Sequence, residues 1–507
     1  MSLWLSRFRF STSIRQSRSV GRPRLCVEML EAREVPASYL VTTADDTSGL
    51  AATGGTGTAS NPFLVATLRS AIELANASTS RADTVRFDPE MANSIIYLNS
   101  SNPPLTFERG AKTTVDGTGR DITVNGLGFE RFKRVFNVES GAKAEIKFLT
   151  IENGIDGFDS LSGGMGADPI TDFGGGGVYN AGRLTLANVL VTGNQSIAGT
   201  GGGGGILNAV GAILTLNDST VTGNQASGSF RGAIDGGGIL NEGKMTITRS
   251  TVSDNSASGS GGGIANFGNL TVTASTLSEN RTEQFNENRE FRVEASVAGG
   301  GGIFNDGTLS MTNATISGNS TQFAGGGVSN GGSGSATLRN CTITENSAGT
   351  GGGIFVGLLN SGEYFRLRNT IVSANFNSSE SPDDIFAFQI EGSTKAPISA
   401  TFCLIGTFTP NSFTGSGNLV NVNDPMLGGL DDNGGPTSTH LPLPGSPVIN
   451  MGNPSSAGLP GRDQRGFNFY RVRGGRVDIG AVEVQEGSFP GGGLTTPPGS
   501  GDDRRYH

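Results

Sequence analysis

The chain has 507 residues, 81 of them glycine, with 16 % charged side chains and a formal net charge of −9. That length can build a large core, and low proline without a three-residue glycine period excludes collagen. Three cysteines (Cys26, Cys341, Cys403) make no disulfide framework, two histidines (His440, His507) make no His-based triad or zinc site, and the acidic balance argues against nucleic acid.

Residues 1–37 differ from all that follows, with Arg7, Arg9, Arg15, Arg18, Arg22, Arg24 and Arg33 set against Glu28, Glu31 and Glu34. No apolar run of signal-peptide length follows, and no run anywhere is long enough to span a bilayer. The stretch Leu30-Glu31-Ala32-Arg33-Glu34-Val35-Pro36-Ala37 resembles the LE-x-R-x-x-P-A leader of large secreted and surface proteins of some bacteria, which implies export. Residues 38–114 read as an N-terminal cap. Tyr39–Thr43 alternates as a strand, and Thr67–Asn76 is a helix with Leu68, Ile72 and Ala75 on one face. That segment resembles the SLR-x-AI-x-x-AN helix that precedes β-helices in many bacterial proteins. A helix there would cover unpaired strand edges, and Arg69 with Glu73 reads as a surface pair.

Residues 115–400 carry a repeat. Gly-Gly-Gly-(Ile/Val) returns at Val178, Ile206, Ile239, Ile264, Ile303, Val328 and Ile354, and each copy closes on Asn194, Asn224, Asn255, Asn280, Asn319, Asn346 or Asn375. Anchor and closing Asn are 16 residues apart in four copies, 18 in two and 21 in the last. Counting back from each Asn, apolar residues stand ten, eight and three places before it, and a small residue five before. In one copy these are Leu214, Leu216, Val221 and Ser219. Period two without helical spacing means short strands with one face buried. Three strands per copy, each ending in Gly or Asn turns, describe one coil of a parallel β-helix, expected to be right-handed. Asn180, Asn208, Asn241, Asn266, Asn305 and Asn330, two after each anchor, should form an amide ladder, as should the closing Asn residues; Val356 is the exception. Cys341 falls on the small inward position and should be a buried free thiol. Insertions at 155–173, 225–235 and 281–298 enter ahead of an anchor and should project from one side.

This unit resembles the repeats of bacterial right-handed β-helix surface proteins, including the polymorphic outer-membrane proteins. The resemblance implies an all-β right-handed parallel β-helix, displayed on the cell surface or secreted. Residues 401–486 read as last coils and a C-terminal cap. Asp424-Pro425, Asp432-Asn433-Gly434-Gly435-Pro436, Leu443-Pro444-Gly445-Ser446-Pro447, Asp463-Gln464-Arg465-Gly466 and Asp478-Ile479-Gly480-Ala481 resemble the C-terminal module of choice-of-anchor surface proteins. Residues 487–507 read as a disordered Gly/Pro-rich tail.

Two functions compete. A polysaccharide lyase or glycoside hydrolase acting on an acidic glycan needs clustered carboxylates and a basic residue on an outer strand face. The outward positions after the anchors are Tyr179, Leu207, Leu240, Ala265, Phe304, Ser329 and Phe355, none charged. Asp172 and Asp235 read as turn residues, Asp431-Asp432-Asn433-Gly434 only faintly as a Ca²⁺ loop, and His440 and Asp463/Arg465 as hydrogen-bonding groups. No catalytic residue, cofactor or metal is assigned. The reading is an adhesive or structural scaffold. Its candidate partners are cell-wall or extracellular polysaccharide, or surface proteins. The candidate binding strip is Tyr179, Leu207, Leu240, Phe304 and Phe355, left in water or covered by the insertions.

Overall fold

The period-two segments form strands because alternate Leu, Ile and Val side chains can leave water only on one face of an extended chain. In the computed structural model they pair in parallel into three long sheets of 14, 12 and 10 strands. The structure describes residues 36–78, 82–99, 101–110, 112–128, 133–156, 174–197, 201–228, 234–283, 299–360, 364–388, 397–455 and 458–485. Each coil gives one strand to each sheet. Val178–Asn180, Arg183–Ala187 and Leu190–Thr192 make one coil, and Ile206–Asn208, Ile213–Asn217 and Thr220–Thr222 the next. Pairing is in strict register: Leu184 lies on Leu214, Leu214 on Met245, Met245 on Leu270 and Leu270 on Leu309. Inside, like sits on like, and the apolar positions read from the sequence are buried throughout. The chain is a parallel β-helix.

The glycine triplet has three separate causes, seen in the coil of Gly203, Gly204 and Gly205. Gly203 has φ +69°, and a Cβ there would fall on the Ile206 carbonyl. At Gly204 a Cβ would strike the carbonyls of Gln225 and Gly237. At Gly205 it would lie 3.0 Å from the Asn224 side-chain amide. Two backbones and an Asn amide thus close the coil with no room for a side chain.

Both Asn ladders are present. Asn180 donates to Asn208, Asn208 to Asn241, Asn241 to Asn266, Asn266 to Asn305 and Asn305 to Asn330, each at 2.7 Å. The closing residues form a second column, with Asn224 donating to Asn255 and Asn255 to Asn280 at 2.9 Å. It ends where Asn375 donates to Asp384. A third ladder occupies the small position: the Ser219 N–H donates to Ser250 Oγ and the Ser250 N–H to Ser275 Oγ. Cys341 sits in this column as a free, buried thiol, its pKa pushed up to about 12 by burial, and buried Cys403 is likewise free and shifted.

Four features depart from the sequence reading. The column begins earlier than the array, because Ala82–Phe87 already pairs with Lys112–Asp116 in the long-strand sheet. A fourth, five-stranded sheet of two-residue strands, such as Gln195–Ser196 and Gln225–Ala226, follows the closing Asn. The helix Leu68–Ala77, capped by Thr67, does meet a strand edge: Asn76 Nδ2 donates to Thr106 O, and its Oδ1 accepts from the Glu108 N–H. Arg69 and Glu73, however, are not a surface pair. Arg69 is buried and binds Asp46 with two bonds of 2.7 and 3.0 Å, while Glu73 accepts from the Gly49 N–H.

The segment expected as a C-terminal cap packs sideways. Residues 424–485 lie along the outer face of the sheet that contains Thr276–Ser278, Thr315–Ser317, Thr342–Thr344 and Ile371–Val372. Gln464 reaches both Thr276 and Thr315 hydroxyls, and Thr276 Oγ1 donates to Ser438 O. The Ala481 N–H donates to Thr342 Oγ1, and Ile371 and Leu404 bury against Val448 and Ile479. Residues 1–35 and 486–507, with the leader and the tail, and the insertion parts 157–173, 229–233 and 284–298 lie outside the described residues.

Candidate functional site

Strand alternation turns the residue after each anchor away from the core, and register then aligns these residues into one strip. Tyr179 pairs with Leu207, Leu207 with Leu240, Leu240 with Ala265, Ala265 with Phe304, Phe304 with Ser329 and Ser329 with Phe355. The strip is continuous, but it does not stand in water: its five large members are 4–7 % exposed. Over Leu207 and Leu240 the Gly-rich segments ahead of the anchors lie close. A Cβ on Gly202 would press on the Leu240 side chain, and one on Gly174 on Leu207. At the N-terminal end the buried Arg134 guanidinium lies 4.7 Å from the Tyr179 ring centre and pairs with Asp156 at 3.1 Å. Burial raises the Asp156 pKa, opposed by Arg134.

Two places on the strip stay open. Phe267, 43 % exposed, lies against Phe304 with ring centres 5.7 Å apart. Farther on, Phe355 stacks on Phe386 at 5.7 Å and 2°, and Phe388, also 43 % exposed, stands edge-on to both. Sequence reasoning missed Phe386 and Phe388 because they follow Asn375, where the repeat fades. Their signal is the alternation Ile385-Phe386-Ala387-Phe388, in register with Ile354-Phe355-Val356.

The candidate chemical groups take structural roles. Asp235 accepts from the Ser260 N–H at 2.6 Å, and burial raises its pKa; Asp172 lies outside the described residues. Asp432 Oδ1 accepts from the Gly434 N–H, and Asn433 donates to Thr439 O, which closes a hairpin. Among the described residues no three His, Cys, Asp or Glu side chains gather as a metal site. His440 is buried between Gly428 O (2.7 Å from Nδ1) and Ser317 Oγ (2.8 Å from Nε2). The carbonyl can only accept, so Nδ1 donates to it, while Ser317 Oγ also donates to Glu345 Oε2 at 3.4 Å. Asp463 and Arg465 form a buried ion pair of 2.7 Å.

No family model matches this chain, and no curated protein sequence does. Among solved structures it is similar to the crystal structure of pectate lyase Pel9A, with TM-score 0.49 and 13 % identity, over 89 % of this chain and 97 % of that one.

Proposed function

We propose that this chain is an exported β-helix scaffold, secreted or held at the cell surface, with an adhesive or structural role. One observation carries the reading. Every residue of the repeat signature is spent inside, as core or as ladder, so recognition falls to side chains that break the pattern and stay accessible. Phe388, held by the buried Phe355 and the half-buried Phe386, is one such side chain, and Phe267, held by the buried Phe304, is a second. Flat aromatic faces of this kind suit the C–H faces of sugar rings, so the ligand class is a polymeric glycan. The covered members Tyr179, Leu207 and Leu240 hold the platform in place. The likeness of the repeats to polymorphic outer-membrane proteins, of residues 424–481 to a choice-of-anchor module, and of residues 30–37 to an export leader supports a surface location. No helix among the described residues is long and apolar enough to cross a membrane.

The test is retention on cell-wall and matrix glycans, comparing the parent with Phe388→Ala and Phe267→Ala. Loss of retention with an unchanged melting temperature supports the platform; unchanged retention overturns it. Incubation with pectate and alginate belongs in the same experiment, and unsaturated products there would replace the scaffold reading with a lyase.

A further inference from the structure

One stretch of the C-terminal module runs against the charge of the molecule. Between residues 462 and 476 stand Arg462, Arg465, Arg471, Arg473 and Arg476 against one acid, Asp463, in a chain of net charge −9. Two of these arginines are internal. Arg465 pairs with Asp463, and Arg471 is wholly buried near Glu483, Asp463 and Asp478, donating to the Asp478 and Gly480 carbonyls. Arg462, Arg473 and Arg476 are only partly covered, and among the described residues no carboxylate pairs with their guanidiniums, although the Arg473 N–H donates to Glu483 Oε1. Arg462 and Tyr470 face each other across a short hairpin, with the guanidinium 3.7 Å from the ring centre; Arg473 lies 5.0 Å from the same ring. Tyr470 is 48 % exposed, and Phe467, near the tip of that hairpin, is 82 % exposed. Cation–π contact arrays the two guanidiniums; Arg462 also hydrogen-bonds the Tyr470 hydroxyl and Arg473 Nε donates to Gln485 Oε1 at 3.4 Å, which leaves the Nη groups of Arg473 beside the exposed ring for a ligand.

We infer that this arginine–aromatic face is a second binding site, separate from the strip, for a carboxylate-bearing polysaccharide. Guanidiniums take carboxylates in paired hydrogen bonds, and the free Phe467 ring offers a face to a sugar. The polymer has one charge per sugar, which suits a few accessible arginines on an acidic body. Duplex DNA, with a charge about every 1.7 Å, would be repelled by the rest of the chain. Phe467 and Val472 present too little apolar surface to hold a bilayer. The two nearby guanidiniums also hold the Tyr470 hydroxyl below its ordinary pKa, the field an anion would meet.

Affinity electrophoresis of the full chain through gels containing polygalacturonate or neutral dextran tests this, alongside binding to a DNA duplex and to phosphatidylserine vesicles. The expected result is retardation by polygalacturonate well beyond that by dextran, the excess fading as salt is added. Arg462→Gln with Arg473→Gln should weaken it about tenfold or more, and Phe467→Ala severalfold. Both arginines are tied to their buried neighbours through backbone groups, their side chains adding only contacts with the exposed Tyr470 and an Nε bond from Arg473 to Gln485, and Phe467 touches solvent, so the fold should persist. Phe388→Ala should leave the salt-sensitive excess of polygalacturonate over dextran unchanged, which separates it from the strip. Equal retardation by dextran, equal binding of DNA or vesicles, or parental behaviour of both the arginine pair and Phe467→Ala would overturn the inference.

Discussion

At the scale of single residues, glycine carries two loads that can be separated. Gly203 and Gly211 both have positive φ, +69° and +78°, but Gly203 is walled by backbone while nothing lies within 4 Å of a Cβ on Gly211. Gly211→Ala should therefore cost only the strain of the left-handed region, about 1–2 kcal/mol. Gly203→Ala adds a clash that the ladder must move to relieve, and should cost roughly 3 kcal/mol or more. Denaturant titration of the two variants reads the difference; similar losses would show that the coil yields to a methyl group. The Asn ladders were legible in the sequence because a repeated polar residue beside apolar neighbours must find its own copy. Asp384 was not, since it lies beyond the last repeat. It closes the Asn column by accepting both the backbone and side-chain N–H of Asn375 on one oxygen and the Thr407 N–H on the other. An amide there would have one acceptor too few.

At the scale of elements, alternation told which face of each strand was inward, but not what covers the outward face. The strip was legible as a column, and its burial was not, because its cover is glycine backbone over Leu207 and Leu240 and side chains from outside the repeat signature over Tyr179, Phe304 and Phe355. The sideways packing of residues 424–485 was hidden for a related reason. Outward Thr and Ser in the strands from Thr276 to Thr344 look the same as outward Thr220 or Thr251, yet the first group is buried by Gln464, Thr437 and Ser438. Ile371 and Leu404, apolar where the five coils before them carry Thr220, Thr251, Thr276, Thr315 and Thr342, hint that something sits on them, though Leu190 at the same position stays open. Those two residues with Val448 and Ile479 are the apolar part of the clasp. Val448→Asp would bury an unpaired charge among them, at a cost of several kcal/mol. Limited proteolysis should then cut within 424–485 while the coils stay protected. Uniform loss of protection would show that the module and the coils unfold as one unit.

At the scale of the whole molecule, buried carboxylates set how stability follows pH. Desolvation raises Asp156, Asp235, Glu279, Asp383, Asp384, Asp478 and Glu483, while Asp116, with Thr118 and Lys147 as partners, is the one described carboxylate shifted down. Asp384 rises from 3.8 to about 6 and Glu483 from 4.5 to about 8, the latter also pushed by Asp478. A carboxyl with a folded pKa above its unfolded one binds more protons when folded. Its contribution is complete below the unfolded pKa and is lost as pH climbs through the folded one. The melting temperature should accordingly fall as pH rises from about 4 to about 8, with the Asp384 step before the Glu483 step. This runs against the common acid denaturation of proteins whose carboxylates are ion-paired. Differential scanning calorimetry from pH 4 to 9 reads it directly, and a melting temperature that rises with pH across that window would show the buried carboxyls to be ionised and well solvated.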